Sequence, residues 1–307
     1  MSELPPATYR PFTEADIAAA AYVRKAALEQ LAEERNVTME SWQPFEQTLL
    51  QHLLRTDPDC AWTAEVNGLF VGYAMGFVRG DIWFLSQLFV QPEVHTSGAG
   101  HGLLERSVEA GRARGARIIS VVSSPSAAAH ALYMRAGMFA TGVLYRISGP
   151  VAALLALPEP DASRKAVVDC SGWQDRIADL DRVVWGAERP VDHAAYLRGA
   201  FAPEGGQSFA LTRGADFLGY GYAAANGVVG PVAAYDAEDV LLLLRTAGEW
   251  LHGRDLEEAV LQIPSMNATA LAPLLRSGWR LGRWTYLLTS APFGQFDRYV
   301  AANGTML

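Results

Sequence analysis

Two stretches of this chain combine residue types and spacing that can do chemistry. The first is Gln91-Pro92-Glu93-Val94-His95-Thr96-Ser97-Gly98-Ala99-Gly100-His101-Gly102. Glycines at 98 and 100 present no Cβ, so a ligand can come close to the main chain. If a helix starts here, its first N–H groups have no partner within it and lie at the positive end of its dipole. The two features together make an anion cradle suited to a pyrophosphate. The second stretch is Ala129-His130-Ala131-Leu132-Tyr133-Met134-Arg135-Ala136-Gly137. A phenol such as Tyr133, with an ordinary pKa of about 10, can protonate a thiolate whose conjugate acid lies near 8.5.

Competing chemistries fit less well. No Gly-Lys-Ser/Thr follows the glycines, so the loop is not a Walker loop. It lacks the third glycine of a dinucleotide fingerprint, and hairpins rather than βαβ units precede it. His95, His101 and His130 do not have the spacing of a metal-ligand set, and no metal is expected. Ser123-Ser124-Pro125-Ser126 has no nucleophile elbow around it. Cys60 and Cys170 stand far apart with no second cysteine nearby and read as buried thiols. Glu29, Glu33, Glu34 and Glu40 read as a solvated helix face, and the eight tryptophans are dispersed as core residues.

The elements that position these residues follow from local pattern. A helix is predicted from Thr13-Glu14-Ala15-Asp16 to about residue 35, and a second near 42–54. Asn67-Gly68 between apolar runs predicts a hairpin of strands 61–66 and 69–77. A strand over 82–90 then feeds the glycine turn and a helix over 98–114. The β-branched run 118–122 predicts a strand buried on both faces. A helix over 126–136 stops at Gly137, and a strand over 143–147 follows. Residues 149–165, with Pro150, Pro158 and Pro160, read as a linker.

The plan then recurs. A shift of 141 positions lays Ser126–Met138 on Asn267–Trp279, with identities at Ala127/Ala268, Ala129/Ala270, Ala131/Ala272, Arg135/Arg276 and Gly137/Gly278. Such a match points to an internal duplication. The second copy has no glycine loop: Val232-Ala233-Ala234-Tyr235-Asp236-Ala237-Glu238-Asp239 puts carboxylates where an anion would bind, and Leu274 stands at the position of Tyr133.

Val90-x-Pro92 with His95-x-x-Gly98-x-Gly100 resembles the acyl-CoA loop of the GNAT (GCN5-related N-acetyltransferase) superfamily, usually Arg/Gln-x-x-Gly-x-Gly/Ala. Ser126 to Met138 resembles that family's Asn-x-x-Ala-x-x-Leu-Tyr-x-Lys-x-Gly-Phe motif. The resemblance implies that the main chain of Leu88, Phe89 and Val90 pairs with a pantetheine arm. It likewise implies that amides across His95, Thr96, Ser97, Gly98, Ala99, Gly100 and His101 hold the pyrophosphate, with Ser126 beside the cofactor. Tyr133 would protonate the departing thiolate. Departures from the pattern are His95 for Arg or Gln, Ser126 for Asn, and Met138 for Phe. Ser86 and Gln87 stand where many relatives place a glutamate base, which leaves Asp81, Glu93 or an ordered water for that role.

The expected architecture is therefore α/β (α+β), with two tandem domains, each a mixed and mainly antiparallel sheet flanked by helices. The expected division is a catalytic domain over 1–149, a linker over 150–165 and a degenerate, non-catalytic domain over 166–307, a tandem arrangement similar to that of mycothiol synthase-like proteins. The expected reaction is transfer of an acetyl or short acyl group from acetyl-CoA to an amine of a small molecule or peptide. The alternative is a non-catalytic acyl-CoA sensor or partner-binding module. A net charge of −8 opposes nucleic-acid binding. With no signal peptide and no run of about 18 apolar residues, a cytoplasmic monomer or homodimer that does not engage the membrane is expected.

Overall fold

The computed structural model describes residues 5–34 and 46–307, with the main chain alone at 34, 46 and 95–97. Glu40, named above, and Trp42, one of the eight tryptophans, lie outside the described residues. The chain forms two compact units: residues up to 121 together with 125–139, and residues 122–124 together with 140–307. Among the described residues, no helix is long and apolar enough to cross a membrane.

The first unit runs β1 (Thr8–Pro11), α1 (Ile17–Glu34), α2 (Glu46–Thr56), β2 (Ala61–Val66), β3 (Leu69–Arg79), β4 (Ile82–Val90), α3 (Ala99–Ala113), β5 (Ile118–Ser123) and α4 (Ala127–Arg135). Strands β1 to β4 pair antiparallel in sequence order. β5 joins β4 in parallel, with α3 as the crossover. Asn67 and Gly68, at φ 52° and 75°, make the β2–β3 turn that their sequence predicts. Tyr73, Phe77, Trp83 and Phe84 fill the core and are fully buried. Helix α3 lies close on this sheet because two of its residues lack a Cβ. A Cβ on Gly102 would come within 2.2 Å of the Tyr9 hydroxyl, and one on Gly111 within 2.3 Å of Trp83 Cδ1. Asp57, wholly buried, ties the layers together. Its Oδ1 accepts from Val78 N–H at 3.0 Å and Arg114 at 2.6 Å, and its Oδ2 from Arg79 at 2.8 Å.

The second unit comprises β6 (Phe139–Pro150), α5 (Val151–Leu155), β7 (Arg164–Val168), α6 (Gln174–Val184), α7 (Pro190–Leu197), β8 (Gly206–Arg213), β9 (Asp216–Ala224), β10 (Val228–Ala234), α8 (Ala237–His252), β11 (Glu258–Pro264), α9 (Ala268–Arg276), β12 (Arg280–Thr289) and β13 (Tyr299–Val300). β7, β8, β9 and β10 are antiparallel, and β11 joins β10 in parallel. β11 then pairs antiparallel with β6 over seven rungs, from Glu258↔Pro150 to Pro264↔Leu144.

Two sequence expectations are corrected here. The strand predicted at 143–147 extends from Phe139 to Pro150, and its ladder with β11 belongs to the second unit. Residues 150–165 are not a free linker. Val151, Leu154 and Leu157 are buried in the second unit's core, and Leu154 packs where a Cβ on Gly248 of α8 would stand. The Arg245 guanidinium of α8 donates to the carbonyl oxygens of Leu155 and Leu157, satisfying the end of α5.

The duplicated helix shows the same end chemistry in both copies. Ser126 Oγ accepts from Ala129 N–H at 3.4 Å, and Asn267 Oδ1 from Ala270 N–H at 3.0 Å. Both helices stop at a left-handed glycine, Gly137 at φ 90° and Gly278 at φ 95°.

Candidate functional site

The site is built where β4 leaves β5. The parallel ladder runs through Ile82↔Ile118, Trp83↔Ile119 and Phe84↔Ser120 and ends at Leu85↔Val121. On its other side β4 stays paired with β3, but the register slips between Met75↔Gln87 and Gly76↔Leu85, so Ser86 is a bulged extra residue. A bulge adds local twist and re-aims the strand. Leu88, Phe89 and Val90 follow it, opposite Ala74, Tyr73 and Gly72 of β3, with the edge towards β5 outside the ladder. Ser86 Oγ is buried and has no hydrogen-bond partner among the described residues. A buried hydroxyl left this way costs stability unless a ligand supplies the partner. Next to it, the Tyr73 hydroxyl donates to Gln87 Oε1 at 2.5 Å.

From Val90 the chain makes a 3₁₀ turn over Pro92–Ser97, reaches Gly98 at φ 76° and enters α3. Gly98 is exposed, and nothing lies within 4 Å of where its Cβ would stand. The first helical bond of this turn is Gly102 N–H to Gly98 O at 3.1 Å. The early amides of α3 thus begin in a turn that the glycines keep open, at the positive end of the helix. Ala99 is buried and His101 is exposed. The side chains of His95, Thr96 and Ser97 lie outside the described residues.

Three elements meet at Gly100. A Cβ there would be 3.7 Å from Val90 Cγ2 at the end of β4 and 3.9 Å from Leu132 Cδ2 on α4. Tyr133, the next residue, is 5% exposed. Burial pushes its phenol well above the ordinary value, and its hydroxyl makes no hydrogen bond among the described residues. The Met138 N–H bond to Tyr133 O and the Gly137 N–H bond to Met134 O close the helix behind it. Ser126, about two turns earlier, spends its acceptor on capping α4.

The candidate bases separate. Asp81 lies ahead of β4, at the end where β4 and β5 are still paired, and holds Arg117 at 2.8 Å. That places it away from the splay and removes it as the base. Glu93 is exposed on the 3₁₀ turn. Glu29 forms an i,i+4 pair with Lys25 at 2.8 Å, in keeping with a solvated helix face. Pattern reading passed over the Ser86 bulge and the Tyr73–Gln87 bond. The one available signal was Gly76, whose missing Cβ makes room for Trp83 Nε1 at 2.4 Å across the slipped register.

In the second unit the equivalent helix start is acidic. Asp236 stands at the N-cap of α8, Glu238 lies in its first turn, and Asp239 is buried against Arg164 Nε at 2.8 Å.

The arrangement can therefore grip an anion at the start of α3, accept an extended arm along β4 and present a neutral phenol beside it. Residues 26–138 match the acetyltransferase (GNAT) family. No curated protein matches the sequence. Three solved structures share the fold over nearly the whole chain. One is a Pyrococcus horikoshii protein named as an acetyltransferase, with 17% identity, TM-score 0.72, and coverage of 97% of this chain and 95% of that one. The second is a GCN5-related N-acetyltransferase from Sphaerobacter thermophilus, with 16% identity, TM-score 0.62, and coverage of 96% and 100%. The third is a tandem GNAT protein from the clavulanic acid biosynthesis pathway, with 16% identity, TM-score 0.60, and coverage of 93% and 99%. At these identities the likeness concerns the fold alone. The family match over residues 26–138 takes in the splay of β4 and β5 and the start of α3, where the site is built.

Proposed function

We propose that the protein is an acyl-CoA-dependent N-acyltransferase whose working site lies in the first unit. The observation that carries this is the convergence of the end of β4, the start of α3 and α4 at Gly100, one residue from Tyr133. Acetyl-CoA, the general co-substrate of this superfamily, would supply the activated acyl group. The residues present fit it: an open glycine turn at a helix start for the diphosphate, an unladdered β4 edge for the arm, and the orphaned Ser86 hydroxyl at the bulge.

The roles follow from the chemistry of each group. Amides at the start of α3 hold the anion. The main chain of Leu88 to Val90 aligns the arm, and Ser86 Oγ donates to an oxygen placed at the bulge. Tyr133 Oη keeps its proton at neutral pH, because burial disfavours the phenolate, and delivers it to the leaving sulfur. Holding amine and acyl group together supplies much of the remaining acceleration. The acceptor is an amine of a small molecule or a peptide. The acidic surface tolerates cationic acceptors and opposes nucleic acid.

A non-catalytic acyl-CoA-binding role is the second reading. It is favoured by Ser86 and Gln87 standing where a base is commonly found, with Asp81 at the far end of the strand. Acetyl-CoA turnover against a panel of amines, run beside direct measurement of coenzyme A binding, separates the two. Turnover on any amine supports the enzyme; binding with no turnover on any supports the sensor.

A further inference from the structure

The splay between β10 and β11 mirrors that between β4 and β5. The duplication shift carries Ile118, the start of β5, onto Ala259 in β11. The parallel ladder of the second unit runs over Val228↔Val260 and Val229↔Leu261 and then stops. β10 is also bulged, between Val229 and Val232. In the second unit, however, the protein's own chain runs into the opening. Tyr299 and Val300 form β13 and pair antiparallel with β10 at Val232↔Val300 and Ala233↔Tyr299. On the other side, Ala301 N–H donates to Gln262 O of β11 at 2.8 Å.

The slot is fitted to this segment. Gly230, at φ 145°, has Ala301 O 2.4 Å from where its Cβ would stand, so a side chain there would collide with the strand. Asn267 Nδ2 donates to Tyr299 O at 3.0 Å while its Oδ1 caps α9. Tyr299, Val300 and Ala301 are fully buried. The Tyr299 hydroxyl accepts from Arg189 at 3.2 Å and donates to Leu307 O at 2.7 Å. Arg189 is itself anchored on the buried Asp181 at 2.8 Å.

We propose that the β10–β11 slot of the second unit is a strand-binding site permanently occupied by residues 299–301, which take the place that an acyl-CoA arm would take in the first unit. The loss of the glycine loop removed the anion cradle from this half; the inserted strand satisfies the sheet edges that the lost ligand would otherwise have covered. The protein therefore takes up one coenzyme A per chain. The ligand part of this statement rests on the acyl-CoA reading above, and the strand part does not.

Hydrogen–deuterium exchange on the whole protein, with and without saturating coenzyme A, tests both parts. Amides 300–301 and 232–233 are expected to exchange roughly 100-fold or more slower than the exposed turn at 213–216. Coenzyme A is expected to leave them unchanged. Rapid exchange at 300–301 without ligand overturns the proposal, as does loss of protection there on adding coenzyme A. Failure of the co-substrate reading shows separately, as no slowing at 98–104 with coenzyme A. Ala301→Pro deletes the bond to Gln262 and is expected to speed exchange at 232–234 about tenfold, with 72–90 unaffected. Unchanged exchange at 232–234 in that variant overturns the proposal, and if the variant fails to fold, the native protein decides.

Discussion

Tyr133→Phe distinguishes a proton donor from a packing residue, because the two roles predict opposite balances of rate and stability. The side chain is 5% exposed, and its hydroxyl has no partner among the described residues. Removing a hydroxyl with no hydrogen-bond partner among the described residues strands no other polar group there, so folding stability should hold. A general acid contributes about 10²–10⁴ in rate, so kcat should fall at least about 100-fold, which is roughly 3 kcal/mol of barrier. KM for acetyl-CoA should change little. The assay is trapping of released coenzyme A with a thiol reagent, beside thermal unfolding of both proteins. The pH dependence adds a second readout. A donor must be protonated, and burial raises this phenol, so no alkaline loss of kcat below about pH 10 should trace to it. The reasoning is refuted if kcat stays within about twofold while stability drops. An alkaline limb near pH 9 that vanishes in the variant refutes it as well.

Four further outcomes are expected. Gly100→Glu puts a carboxylate at the positive start of α3 while its Cβ meets Val90 and Leu132 only at ordinary contact distances. Coenzyme A binding should weaken at least about tenfold by calorimetry, with the melting temperature unmoved. Asp57→Ala removes the buried carboxylate shared by Arg79, Arg114 and the Val78 N–H, and should cost about 3–5 kcal/mol, read as a drop of roughly 10 °C in melting temperature. Asp181 is opposed by burial but held down to a pKa of about 2 by Arg189 and His193, below its unfolded value near 3.8. Its contribution of about 2 kcal/mol is full above pH 4 and lost as pH falls from about 4 to 2, measurable from denaturant midpoints over that range. Burial raises the Cys60 thiol to about 11 and raises Cys170 also, so neither should react with a thiol reagent at pH 8 until the protein unfolds.

Features set by single residues were legible in the sequence. Asn67-Gly68, Gly98, Gly137 and Gly278 adopt the left-handed conformations that their positions imply. The β-branched run at 118–122 forms a buried strand for the same local reason. Features set by register or distant pairing were not. Ser86 is a bulge only because β3 and β4 slip past each other, which Gly76 on the facing strand alone hints at. Residues 151–155 are too short for a helical period to show, and flanking prolines made them resemble a linker, yet Gly248 and Arg245 of α8 receive them. β13 is two residues long, and its identity as a strand comes wholly from β10 and β11.

The seven-rung ladder between β6 and β11 bears on how such a duplicated protein can be taken apart. A cut at residue 149, the natural place by sequence repeat, would strip β11 of a neighbour and leave β6 as a bare, aggregation-prone edge on the released fragment. Severing the backbone near residue 139 instead keeps that ladder whole. Split-protein or domain-exchange work should therefore respect the hydrogen-bonded seam rather than the boundary that the sequence repeat suggests.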